Sequence, residues 1–241
     1  MISKYCIVDI ETTGLDPTTD KIIEIAIRKH NGDDTESFYS LINPGIDIPP
    51  EITKLNGLTN EMLYKQPTFK TISSVIIDFI HGFDLVIYNQ KFVISMLLNE
   101  FNRCGYVFNF KKNTIVDVQS IWKSEYNPMS LYFATEFMFK NKVETKHNSD
   151  VDCTLIDSIY KKMMSDGATI LKSKYADVSE NIIQTDSDYI FNYGSEKKFR
   201  GKSVFDIFRT DLEYYQWLMA SDLQIDTKIV LKLLYYNYLK Y

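Results

Sequence analysis

Hydrophobic and polar positions follow two regimes along this chain. In the first 45 residues, short apolar runs end in turn residues, the pattern of strands. Tyr5-Cys6-Ile7-Val8 opens the first run, and strands are predicted roughly from Tyr5 to Ile10, from Lys21 to His30 and from Glu36 to Asn43. Asn31-Gly32-Asp33-Asp34 is the hairpin signal between the second and third. Pro44-Gly45 and Pro49-Pro50 break the pattern, and a short helix is predicted around Asn60 to Tyr64. Helical spacing then takes over. Ile72, Val75, Ile76, Phe79 and Ile80 share one helix face, and that helix ends at Gly82. Leu85-Val86-Ile87 predicts a fourth buried strand, a helix follows from about Lys91 to Asn102, and Thr114 to Val118 is the fifth strand. Helices over about Ser130 to Phe139 and Asp150 to Met164 follow. Meandering strands succeeded by strand–helix alternation describe an α/β fold, a mixed five-stranded sheet with helices on both faces.

From Ser165 to Asp188 the periodicity fades and polar residues accumulate, which predicts a linker with one short element at most. The expected organisation is a main domain over residues 1–166, a linker over 167–187 and a small module over 188–241. That module carries Lys197, Lys198, Arg200 and Lys202, with Phe199 and Tyr193 interleaved, and then Tyr214 and Trp217-Leu218. Such a cluster can track a phosphate backbone and stack a base. The other reading is a solvated basic turn with Tyr214 and Trp217 in the core, and both stay open.

Length and composition narrow the class. A chain of 241 residues holds one good core plus a small appendix, or two modest domains. No apolar stretch approaches the length of a membrane span, and the early strand fits neither a signal peptide nor a transit peptide. Cys6, Cys104 and Cys153 are too scattered for a disulfide framework or a zinc site, so a reducing, cytoplasmic setting is expected. The net charge of -5 argues against a long duplex-binding face. It leaves room for a short footprint such as a strand end, because an acidic pocket meets phosphate through cations.

The chemistry concentrates in Asp9-Ile10-Glu11-Thr12-Thr13-Gly14-Leu15-Asp16-Pro17. Carboxylates at i and i+2 on a strand point to the same face, where they repel unless a cation lies between them. Paired carboxylate oxygens suit Mg²⁺ or Mn²⁺. Asp9 to Leu15, continuing through Asp20-Lys21-Ile22-Ile23-Glu24-Ile25-Ala26, resembles the first motif of the DEDD exonuclease superfamily, which includes the proofreading subunit of bacterial replicative DNA polymerase. Ile52 to Thr59 resembles a following segment of these enzymes, with Thr59 as a helix N-cap and Met62 and Leu63 entering the core. His147 to Cys153 resembles the third motif in its histidine-containing, DEDDh version. The tail resembles the C-terminal module of exonuclease X-like proteins, where a Gly-Lys-rich turn precedes a helix with a Tyr-x-x-Trp-Leu pattern.

The resemblance implies a ribonuclease H-like fold and a 3′→5′ exonuclease that releases nucleoside 5′-monophosphates from nucleic-acid 3′ ends, DNA ahead of RNA. It implies a two-metal site of Mg²⁺ or Mn²⁺ with Asp9, Glu11 and Asp152 as ligands and His147 as general base. Asp150 and Asp157 are read as neighbours without that role, one of them capping the helix. Thr12, Thr13, Gly14 and Leu15 are expected to cradle the terminal nucleotide, Asn89 to reach it weakly, and Lys198, Arg200 and Lys202 to contact the strand. Which protein partners it has stays open, no membrane is expected as a partner, and a place in DNA replication or repair is the expected context.

The second motif departs from the family. Leu85 to Val93 aligns with its strand–Asn–helix segment, but Val93 stands where the family carries an aspartate, and Tyr88 where it usually has histidine. Asp84 lies before the strand, and Glu100 is about 10 Å further along the helix. The second metal position is therefore expected to be weakened. A site short of one carboxylate leaves two readings: an exonuclease slowed by about 10²–10³-fold, or a catalytically inactive module that binds nucleic-acid ends or a replication protein.

Overall fold

The structure, a computed structural model, describes residues 4–106, 114–125, 130–143, 147–168, 179–185, 187–194 and 199–239, with the backbone alone for 123–125 and 237. The chain divides into two compact units, Met1–Lys172 and Ser173–Tyr241.

In the first unit, β1 (Lys4–Thr12), β2 (Ile22–Asn31), β3 (Asp34–Leu41), β4 (Asp84–Ile87) and β5 (Ile115–Asp117) form one sheet in the order β3-β2-β1-β4-β5. The β1–β2 and β2–β3 pairs are antiparallel and β1–β4 and β4–β5 are parallel, which is the predicted mixed sheet. Gly32 takes φ 66° in the tight β2–β3 turn, a conformation a glycine adopts without penalty. Helices α1 (Pro50–Asn56), α2 (Asn60–Leu63) and α3 (Phe69–Ile80) join β3 to β4. Helix α4 (Gln90–Arg103) joins β4 to β5, and α5 (Val118–Glu125), α6 (Leu131–Phe139) and α7 (Ser149–Ser165) follow.

Alternation along β1 sends Tyr5, Ile7, Asp9 and Glu11 to one face of the sheet and Cys6, Val8 and Ile10 to the other. The first face is covered by α5, α6 and α7, whose Trp122, Ala134, Ile156 and Tyr160 pack with Tyr5, Ile7, Ala26 and Val86 in a continuous core. On the opposite face the Cys6 thiol donates to the Phe79 carbonyl of α3. The core thus ends at β1's C-terminal half, where Asp9 and Glu11 replace apolar residues on the face that α7 covers.

Two helices escaped the sequence pattern. Pro49-Pro50 reads as a break, yet Pro50 opens α1, where its missing N–H costs nothing. Helix α5 follows β5 with no intervening turn, so no breaker residue announces it. Thr59 caps α2 as predicted, accepting from the Met62 N–H, and Leu63 enters the core, but Met62 is exposed.

The second unit contains a hairpin of β6 (Ile182–Gln184) and β7 (Tyr189–Phe191), then α8 (Val204–Thr210), α9 (Leu212–Ala220) and α10 (Ile225–Tyr238). Its own core gathers Phe191, Val204, Ile207, Leu218 and Leu231. Strand β6 falls inside the span read as a linker; residues 169–178 and 186 of that span lie outside the described residues. Among the described residues no helix is long and apolar enough to cross a membrane.

Candidate active site

The turn after β1 is braced by one side chain. The Asp20 carboxylate accepts from the Thr13 hydroxyl at 2.9 Å and from the Asp16 N–H at 2.9 Å. It lies so close to Gly14 that a Cβ there would come within 2.4 Å of it, which is why this position holds a glycine. Lys21 N–H donates to the Thr13 hydroxyl at 3.0 Å, and the Thr12 hydroxyl donates to the Gly14 carbonyl at 2.6 Å. Arg103 holds the far side of the turn through the Pro17, Thr18 and Asp20 carbonyls, while its guanidinium pairs with Glu100 at 3.1 Å. Glu100 also accepts from the Ile22 N–H. It is committed to this frame and takes no part in the cavity.

That frame presents Asp9 and Glu11 to a cavity of about 250 Å³. Asp9, Glu11, Thr12, Gly14 and Leu15 line it from β1 and its turn, Asn89 and Val93 from the start of α4, and Tyr132, His147 and Asp152 from the opposite wall. One ligand atom each from Glu11, His147 and Asp152 lies within 4.8 Å of the others. Of the expected cradle, Thr13 is not brought to the cavity: it is buried, with its hydroxyl turned to Asp20. Leu15 projects from the rim, almost fully exposed, and Ile52 and Leu55 of α1 add further apolar lining.

The acids sit uneasily as anions. Burial pushes Glu11 up to about 8; a bond from the Asn56 amide at 3.4 Å pulls it back, and the charges of Asp152 and Glu24 push it up again. Burial likewise pushes Asp152 up to about 6, against the Tyr132 hydroxyl, which holds it down, and with Glu24 raising it. Asp9 stands well above the usual carboxylate range, first from burial and then from Asp152, Glu11 and Glu24. A cluster that resists charging by itself, built from oxygen donors and one imidazole, fits a divalent cation, whose charge would reverse each of these penalties.

The start of α7 is held by a residue the sequence reading did not assign. Glu24 of β2 is only 1% exposed, and its carboxylate accepts from the Ser149 N–H and hydroxyl, both at 2.7 Å, and from the Asn148 amide at 3.1 Å. The signal was a single acid inside the apolar run Ile22-Ile23-Glu24-Ile25-Ala26-Ile27. A buried charge must be met by donors, but those donors lie 124 and 125 residues downstream. Asn148, not Asp150, is the N-cap, accepting from the Val151 N–H; Asp150 is exposed and pairs with Arg28. Asp157 turns away to Tyr5, His30 and Lys161.

Tyr132 of α6 was also missed. Its hydroxyl donates to Asp152 at 2.7 Å and accepts from the His147 N–H at 2.9 Å, and its ring meets the imidazole edge-on at 5.4 Å. One phenol therefore ties the third acid to the histidine. His147 has φ 41°, a left-handed backbone held in place by these neighbours.

The start of α4 brings Val93, 2% exposed, to the cavity wall. Asn89, at φ 66°, caps the helix by accepting from the Phe92 N–H, and its own N–H donates to Asp117 at 3.1 Å. Asp84 opens β4 and accepts from the Thr114 N–H, away from the cavity.

In the C-terminal unit Arg200 and Lys202 are exposed, and Lys198 lies outside the described residues, as does Lys197. Phe199, expected to be available for stacking, is buried, whereas Trp217, the core residue of the other reading, is exposed.

Comparison with known proteins fits this geometry. The family profile described as Exonuclease (RNase T) matches residues 6–160, which contain every residue lining the cavity. DNA polymerase III subunit epsilon of Rickettsia conorii is 34% identical over 168 residues, covering 66% of this chain and 72% of that protein. DNA polymerase III PolC-type of Caldanaerobacter subterraneus subsp. tengcongensis is 29% identical over 165 residues, 67% of this chain. The chain spans only 12% of that polymerase's length. Among solved structures, the nuclease domain of 3'hExo, described as a DEDDh family member bound to rAMP, superposes with a TM-score of 0.58 at 18% identity, covering 71% of this chain and 96% of that one.

Proposed function

The chain belongs to the DEDDh 3′→5′ exonuclease family, and on that premise we propose that it digests single-stranded DNA from the 3′ end, releasing nucleoside 5′-monophosphates, through a site that has lost one of its four acids. The observation that carries this reading is the convergence of Glu11, His147 and Asp152 on the cavity that Asp9 also lines.

Asp9, Glu11 and Asp152 would hold divalent cations, which when bound polarise the phosphate, acidify a water and offset charge on the departing 3′-oxygen. His147 takes the proton from the attacking water as its oxygen bonds to phosphorus and the bond to the 3′-oxygen breaks. Tyr132 keeps that imidazole and Asp152 in register. The backbone of Thr12 to Leu15 positions the terminal nucleotide, with Leu15, Ile52 and Leu55 offering apolar surface to its base.

DNA as substrate, and a place in replication or repair, rest on the resemblance of the tail and on the polymerase relatives. The second reading, an inactive binder of nucleic-acid ends, is favoured by one observation: Val93 lines the cavity and can neither ligate a cation nor accept a hydrogen bond. The deciding assay is digestion of 3′-labelled single-stranded oligonucleotides with Mg²⁺ and with Mn²⁺, using Asp9→Ala as the blank. Metal-dependent release of mononucleotides by the native chain alone is the expected result. Equal, background-level release by both proteins would leave the binder, and faster digestion of ribo-oligonucleotides would move the substrate to RNA.

A further inference from the structure

The Tyr-x-x-Trp-Leu pattern of the C-terminal unit has no part in the cavity chemistry, and its last two residues face opposite ways. Leu218 is fully buried in that unit's core, while Trp217 keeps 56% of its surface in water. An indole left so open offers a large, rigid apolar face to a ligand. Among the described residues it is also the end of a stack. Tyr214, one turn earlier on α9, lies against Trp217 with ring centres 5.5 Å apart and planes 21° apart. Phe199 stacks on Tyr214 in turn, at 4.2 Å and 25°. The Lys202 ammonium sits 5.7 Å from the centre of the Phe199 ring, and Lys202 and Arg200 are both exposed.

We infer that this ladder is a contact for single-stranded nucleic acid, in which an unpaired base stacks on Trp217 while Arg200 and Lys202 meet the neighbouring phosphates. The occupant follows from the chemistry. Every base has a π face that extends a column of near-parallel rings, and its phosphates need cations beside that column. An apolar protein partner would use the indole but not the two exposed cations, which in the free chain meet only the Gly194 carbonyl, at 3.4 Å from Arg200, and the Phe199 ring among the described residues. Among the described residues the footprint is short, one or two nucleotides: Glu213 stands on the same flank of α9 as Trp217, and Arg209 is engaged with Asp206 at 3.3 Å. A short footprint agrees with the chain's net charge of -5. The inference rests on the proposed function, which makes single-stranded nucleic acid the substrate.

The chain reports on this contact directly. It has two tryptophans, and Trp122 is 1% exposed in the core of the other unit, so quenching by an added oligonucleotide reads Trp217. Titration of the full chain with single-stranded oligothymidylate in EDTA, where digestion is blocked, is expected to give saturable quenching. Trp217→Ala should weaken binding about tenfold by fluorescence anisotropy, and Trp217→Phe should restore most of it. Arg200→Ala with Lys202→Ala should lower the salt dependence of binding by about two ions. With Mn²⁺, Trp217→Ala should raise KM for a long oligonucleotide and leave turnover of a p-nitrophenyl ester of thymidine 5′-phosphate unchanged. Absence of quenching, or equal affinity of native protein and Trp217→Ala, overturns the inference. Quenching without any digestion would retain this contact and overturn the exonuclease reading, so the two fail separately.

Discussion

Two helices begin at the edge of the cavity, and they are built alike. Each is capped by an asparagine, Asn89 for α4 and Asn148 for α7, whose side chain accepts from the N–H three residues on. Each start is pinned by a carboxylate from a strand: Asp117 of β5 takes the Asn89 N–H, and Glu24 of β2 takes the Ser149 N–H and the Asn148 amide. Each then sends the fourth residue after its cap into the cavity, with a first-turn bond from Val93 N–H to Asn89 and from Asp152 N–H to Asn148. One helix delivers an acid and the other two methyl groups. The start of α4 therefore shares the supporting geometry that places Asp152 at α7, with an apolar residue in the cavity position. Cap and strand carboxylate determine where each helix starts, and the cavity residue fills the space provided.

Removing the acid that α7 still supplies should have the largest effect. Asp152→Asn keeps shape and an acceptor for Tyr132 but removes the charge that only this helix brings to the site. Release of mononucleotides in Mn²⁺ is expected to fall by at least about 10³-fold, with an unchanged far-ultraviolet spectrum. Near-native activity would mean the two helix starts are equally dispensable.

Supplying at α4 what it lacks should have the next largest effect, in the opposite direction. Valine and aspartate are close in volume, and Val93 already lines the cavity, so Val93→Asp adds little bulk there. Activity is expected to rise by about 10²–10³-fold, and most in Mg²⁺, which depends on a full oxygen set. An unchanged rate would show that the two starts differ in more than one side chain.

How much of this comparison the sequence displayed depended on distance along the chain. The Asp9–Glu11 pair, the Asn31-Gly32 hairpin and the His147-to-Asp152 spacing are local patterns whose physics is contained in a few neighbouring residues. Val93 stood out for the same reason, as an apolar residue four positions after the asparagine of a strand–Asn–helix segment, and it lines the cavity. Glu24, Tyr132 and Asn56 were not, because each acts on a partner far away in sequence, and nothing nearby names that partner. Trp217 shows the remaining difficulty. A Trp-Leu pair at a helix face gives no sign of which member turns inward until the helix is docked, and here Leu218 does.

A smaller effect should separate the helix starts through protons. Glu11 and Asp152 are raised to about 8 and about 6, chiefly by burial, so the folded state binds their protons more tightly than the unfolded chain does. That stability is present at pH 4, and it is lost as pH rises through 6 and then 8. In EDTA the melting temperature is therefore expected to fall between pH 5 and pH 8.5. Added Mn²⁺ should raise it, by more at pH 8 than at pH 6, because the cation competes with these protons. Asp152→Asn should flatten the lower part of the slope, and Val93→Asp should steepen it by adding an acid to the same cavity. A flat profile for the native chain would remove the electrostatic argument for a cation.

The smallest effect tests whether the two caps are as alike as their hydrogen bonds suggest. Asn89 sits at φ 66°, in the left-handed region that costs an asparagine some energy and a glycine none, whereas Asn148 is extended at φ -128°. Glycine replaces an asparagine cap at a cost of a few tenths of a kcal/mol. At position 89 relief of the backbone should cancel that cost, so Asn89→Gly is expected to leave stability within about 0.5 kcal/mol of native. At position 148 there is no strain to relieve, and the bond from its amide to Glu24 is lost as well, so Asn148→Gly should cost about 1 kcal/mol. Denaturant midpoints of the two variants, measured in EDTA, give the difference directly. Equal costs would mean that the left-handed residue at the start of α4 is not a source of strain, and that the start of α4 is held as firmly as that of α7.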